Sequence, residues 1–125
     1  MKLVNYRLQS PFARNRMGAV QGDKIIDLHM AHTEILQKEK KYRSITIPAN
    51  PNDFYQNAKT YIEIAETLMR QLSDGYSEYS FDRKDVVLEK PVSHPSKIIC
   101  IGTNYADHVA EMGGSEIPEY PRVIL

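Results

Sequence analysis

His108 and Glu111 stand three residues apart in the stretch 105–112, and on a helix that spacing puts both side chains on one face. An imidazole beside a carboxylate is a general acid–base unit. The carboxylate fixes the ring tautomer and stabilises the imidazolium once the ring has taken a proton. Glu111 falls in the last turn of that short helix, where the macrodipole disfavours a negative charge by about 0.3–1 kcal/mol. Helix stability therefore does not account for it. On spacing alone, a solvated surface pair is the commoner outcome.

Other candidates carry less. His29 and His32 also lie three apart, the spacing of two metal ligands on one helix face. No further ligand stands near them, so a solvated pair at a helix start is expected. His108-x-x-Glu111 lacks the second histidine of the His-Glu-x-x-His zinc motif, and Gly102-Thr103-Asn104 lacks the glycine spacing and Lys-Ser/Thr of a phosphate loop. Cys100, within Ile98, Ile99, Cys100 and Ile101, is expected to be buried and a neutral thiol rather than a nucleophile. Lys38, Glu39, Lys40 and Lys41 interleave acid with base and read as a solvated helix face.

The elements that must position the pair read as follows. Val4, Tyr6 and Leu8 alternate, predicting a strand over 2–8. After a loop at 10–16, residues 18–20 and 25–28 form a hairpin about Gly22-Asp23. A helix is predicted over 31–42, with Glu34/Lys38 and Glu39/Arg43 as i,i+4 pairs. Pro48, Asn50 and Pro51 break the chain. A longer helix is predicted over 53–73, its stripe of Phe54, Ala58, Tyr61, Ala65, Leu68 and Leu72 being core. Residues 76–85 read as a polar surface loop. Residues 97–101 read as a strand buried on both faces, which requires a covering layer. Gly102 and Thr103 then turn the chain, Asn104 caps the motif helix, and Gly113-Gly114 stops it. A proline loop leads to a last strand from Arg122. The chain closes on Val123, Ile124 and Leu125, the pattern expected of a strand cut off from its sheet.

The 125 residues carry 16 basic and 16 acidic side chains, a balance that excludes a nucleic-acid phosphate binder. No apolar run approaches the roughly 18 residues of a membrane span. The single cysteine forms no internal disulfide, which points to a reducing cytoplasm.

The string Lys97-Ile98-Ile99-Cys100-Ile101-Gly102-Thr103-Asn104-Tyr105-Ala106-Asp107-His108-Val109-Ala110-Glu111-Met112, with Pro118, Pro121 and the strand Val123, Ile124, Leu125, strongly resembles the opening of the catalytic region in the fumarylacetoacetate hydrolase family. Residues 1–93 resemble the variable N-terminal domain of its longer bacterial members. The resemblance reverses the odds on the pair. It implies that His108 and Glu111 are the catalytic dyad, that Asn104 and Tyr105 shape the substrate pocket, and that the stretch to about Pro121 is a lid. The implied substrate is a small 2-oxo or 2,4-dioxo acid chelated to a divalent metal, usually magnesium. The implied reactions are C–C hydrolysis, decarboxylation or tautomerisation in a cytoplasmic homodimer. The metal would polarise the oxo acid while the dyad moves a proton. The family's metal ligands are acidic residues downstream of 123–125. No Glu-x-Glu pair occurs in this sequence, so no metal ligand is assigned here, and no bound cofactor is expected for this chain alone.

The expected fold is α+β: a small mixed N-terminal domain over 1–93, then over 94–125 the first strand and lid helix of an incomplete catalytic β domain. The alternative to an enzyme is a non-catalytic N-terminal module that serves packing or dimerisation. Neither reading involves nucleic acid or a membrane.

Overall fold

The alternation at the N-terminus becomes strand β1 (Lys2–Leu8). The computed structural model describes residues 1–72, 78–102, 113 and 122–124, in two compact units, Met1–Ser93 and His94–Leu125. In the first unit β1 pairs with β2 (Arg16–Gln21), which turns into β3 (Lys24–Asp27). The turn is the two-residue Gly22-Asp23, closed by the pair Gln21↔Lys24. Only Gly22 of the two central residues takes positive φ, at +60°. That is the type II′ pattern, whose twist suits a hairpin and whose first position wants glycine. β4 (Ser80–Asp82) and β5 (Val86–Glu89) complete an antiparallel sheet of order β4-β3-β2-β1-β5.

Among the described residues, three α-helices follow from breaks in the chain. α1 (Leu28–Lys38) begins three residues before the predicted start and ends four before the predicted end. Asp27 is its cap, accepting from Met30 N at 2.8 Å; Lys40 at φ 55° ends it in the left-handed region. Of the two predicted i,i+4 pairs, Glu34–Lys38 forms at 2.8 Å, whereas Glu39, past the last turn, meets Lys41 at 3.0 Å. The Lys38 to Lys41 run therefore straddles a helix end and is not a helix face.

The long helix predicted over 53–73 is two helices. α2 (Pro51–Gln56) starts from Asn50, whose side chain accepts from Asn52 N at 2.8 Å, with Pro51 in the first turn where its missing N–H costs nothing. α3 (Ala58–Gln71) follows a break at Asn57 (φ −136°, ψ 50°). The apolar stripe survives the break: the Phe54 and Tyr61 rings stack at 5.7 Å across it.

Both sheet faces are used. Met17, Ala19 and Ile26 pack with Leu28, Ala31, Ile47, Phe54, Ala65 and Leu68 to form the main core beneath the helices. On the other face Tyr6, Ile25 and Val86 form a second cluster, closed by Val4, Val20 and Phe81. Over its described part, 78–85, this corrects the surface-loop reading of 76–85. Phe81 packs against Tyr6, and Lys24 pairs with Asp82 along the edge. A short, charged strand is what a sheet edge tolerates. The class is α+β.

In the second unit β6 (Cys100–Gly102) pairs antiparallel with β7 (Arg122–Ile124). The expected burial of 97–101 does not occur: Ile98, Ile99 and Ile101 are 68, 62 and 58% exposed, and Cys100 is exposed too. Among its described residues this unit offers only two three-residue strands, too little to bury an apolar face.

Candidate functional site

The four site residues drawn from sequence, His108, Glu111, Asn104 and Tyr105, lie outside the described residues, as does the motif helix itself. The frame on either side of them is described. β6 and β7 register as Cys100↔Ile124, Ile101↔Val123 and Gly102↔Arg122, so the segment carrying the motif leaves and re-enters the ribbon at one end. Antiparallel partners stand about 5 Å apart at Cα, which closes that segment at its base. Gly113 has φ +76°; the helix it is expected to stop lies outside the described residues.

The first unit holds a buried polar network that sequence reading missed. Asp27 is fully buried, and its carboxylate accepts from the Tyr6 hydroxyl, from Arg16 Nε at 2.6 Å and Nη2 at 3.1 Å, and from Met30 N. Burial, and next the Asp27 charge, push the Tyr6 phenol above its ordinary value; the Asp27 hydrogen bond raises Arg16. The carboxylate is saturated by donors from strand and helix, which makes it a structural clamp between sheet and helix rather than reactive chemistry. Tyr6 and Arg16 are direct cross-strand partners, and Gly18 is the partner of Asp27. The hairpin turn contains the register of Gly18 against Asp27, but Arg16 reads as part of the loop at 10–16, so its pairing with Tyr6 was not legible.

His29 and His32 correct both readings offered for them. They neither converge on a metal nor sit as a solvated pair. His29 Nδ1 lies 2.7 Å from the Ile47 carbonyl oxygen, and Ile47 N donates to His32 Nδ1 at 3.0 Å. Pro48 follows Ile47 and has no N–H, so this stretch cannot run on as a bonded strand; the two rings supply the partners a neighbouring strand would have given. Among the described residues no three His, Cys, Asp or Glu side chains converge to hold a metal.

No family model matches the chain. Over 109 residues, 83% of the chain, it is 32% identical to the oxaloacetate tautomerase YisK of Bacillus subtilis. Over 122 residues, 97% of the chain, it is 25% identical to the mitochondrial oxaloacetate tautomerase fahd2 of Xenopus laevis. The chain spans about a third of the length of these relatives, 34% and 33%. Both are members of the fumarylacetoacetate hydrolase superfamily. Together with the motif from Lys97 to Met112 they identify the present chain, which belongs to the fumarylacetoacetate hydrolase family.

Proposed function

We propose that the protein carrying this chain is an enzyme acting on small 2-oxo acids, and that its reaction is keto–enol tautomerisation of an oxaloacetate-like substrate. The observation that carries this reading is the match, over most of the chain, to two relatives that are both oxaloacetate tautomerases. Hydrolysis and decarboxylation, which the resemblance also allows, draw no such support. In tautomerisation a proton leaves the carbon next to the carbonyl and a proton reaches the carbonyl oxygen, with no net change in atoms. His108 is assigned the proton transfer, Glu111 the stabilisation of its imidazolium, and Asn104 and Tyr105 the pocket wall.

A divalent cation, magnesium by resemblance, would act as the Lewis acid that polarises the oxo acid. The described residues do not fit it: no three potential ligands among them come together. Assembly as a homodimer and residence in the cytoplasm belong to the same proposal; no helix of the described residues is long and apolar enough to cross a membrane.

The test is stopped-flow absorbance of enol-to-keto conversion of oxaloacetate by the full-length protein. His108→Ala should lower kcat by about 10²–10⁴-fold with little change in KM. Glu111→Gln should lose a comparable amount. Near-unchanged kcat in His108→Ala would return the pair to a surface ion pair.

A further inference from the structure

We propose that the Ile47 peptide, gripped between His29 and His32 of α1, is an acid-sensitive catch that holds the 39–50 segment closed over the core. The backbone partners fix the chemistry of both rings. The Ile47 carbonyl can only accept, so His29 carries a hydrogen on Nδ1. The Ile47 N–H can only donate, so His32 Nδ1 must be bare, leaving its proton on Nε2. A doubly protonated imidazole has no acceptor at all. Adding a proton to His32 therefore turns the one acceptor of the Ile47 N–H into a second donor facing it, while the His29 bond is untouched by protonation.

The segment has few other holds. Residues 40–45 are exposed. The Ile47 side chain is fully buried in the main core, and Ala49 O accepts from Met17 N of β2 at 2.8 Å. Releasing Ile47 thus unplugs the core at one point, and the sheet keeps its own ladder. The proton has a way in, because His32 borders a groove of about 330 Å³ between α1 and α3.

The charges facing His32 are mixed. Burial first, and then His29 on its own helix, disfavour a positive charge on the ring, while Glu39 favours one; the first two prevail and hold the imidazole below its ordinary range. Lys41 and, from α3, Glu63 line the same groove, with Lys41 paired to Glu39. On the sheet side, Asp27 and Arg16 are spent on each other. The sign follows from linkage. Above about pH 6.5 the ring is neutral whether the catch is open or closed. As pH falls below that, the open form takes the proton first, so opening becomes about tenfold easier per pH unit until the closed form titrates as well.

The experiment is pH-dependent amide exchange with ring NMR on the 125-residue chain. His32 should show the Nε2–H tautomer and His29 the Nδ1–H tautomer. The exchange protection factor of the Ile47 amide should fall about tenfold per pH unit below pH 6.5, while the sheet amides of Val4 and Ile26 stay protected. His32→Gln, whose amide oxygen accepts at any pH, should make the Ile47 protection flat; His29→Gln should leave the pH dependence in place. Should His32→Gln fail to fold, ring tautomer and Ile47 protection in the unmodified chain still decide. A hydrogen on His32 Nδ1 at neutral pH, pH-independent Ile47 protection down to pH 5, or simultaneous loss of the sheet amides would each overturn the proposal.

Discussion

Asp27 takes on three tasks with one side chain: it caps α1, ties down Tyr6 and holds Arg16. Removing its charge leaves Arg16 without its carboxylate, and Arg16 is one-third exposed and able to rehydrate. Asp27→Asn should therefore cost about 3 kcal/mol, the low end for breaking a buried pair, read from urea melts. Tyr6→Phe deletes a buried hydrogen bond to a charged acceptor and should cost about 1.5–3 kcal/mol at pH 7. The same variant has a signature at high pH. The folded Tyr6 phenol is held above its ordinary value of 10.0 by burial and by Asp27. The unfolded phenol ionises near pH 10 and the folded one later, so the stability it contributes is complete below pH 10 and drains away as pH rises further. Melts at pH 8 and pH 11 should show a smaller alkaline loss in Tyr6→Phe than in the unmodified chain. Sequence reading saw Tyr6 only as an apolar strand position. A residue that is apolar by face and polar by its tip needs the register before its partner becomes visible.

At the scale of elements, period and punctuation were legible and helix limits were not. β1 and the Gly22-Asp23 hairpin follow from alternation and turn chemistry. α1 starts early because Asp27, inside the strand pattern, is also its cap; it stops early because the chain turns left-handed at Lys40. The Phe54 to Leu72 stripe could not disclose the break at Asn57, since an interrupted helix that keeps its apolar side leaves the same pattern. What it did disclose is burial: Phe54, Ala65 and Leu68 are core. Leu68→Ala should cost about 2–5 kcal/mol in urea melts, with Leu72, only half-buried, costing clearly less. Gly18 tests the second sheet face. A Cβ there would sit 2.8 Å from Ile25 Cγ2 and 3.0 Å from Tyr6 Cδ1. Tyr6 cannot step aside, because its hydroxyl is bound to Asp27. Gly18→Ala should therefore cost about 1–3 kcal/mol as overpacking, and less on a Tyr6→Phe background, where the ring is free to shift.

For the molecule as a whole, every buried side chain among the described residues lies between Asn5 and Val86, and the apolar residues of β6 and its approach are exposed. A chain of residues 1–93 should then melt in urea at nearly the midpoint of the whole chain and keep its amide spectrum; a molten fragment would show that the first unit borrows stability from elsewhere. The site behaves differently. The motif at 104–111 was legible because it is a dense local string, and it still defines no metal site. Magnesium needs several oxygen donors in a near-octahedral array. The described residues bring no three potential ligands together, and no Glu-x-Glu pair occurs in the sequence. Calorimetry of the 125-residue chain should accordingly give no stoichiometric magnesium binding, and the chain should not speed oxaloacetate tautomerisation with magnesium present. A protein of the relatives' length carrying the same His108 and Glu111 should do both, lose the activity to EDTA, and regain it when magnesium is restored. Tight magnesium binding by the 125-residue chain would mean that its own carboxylates assemble into a site.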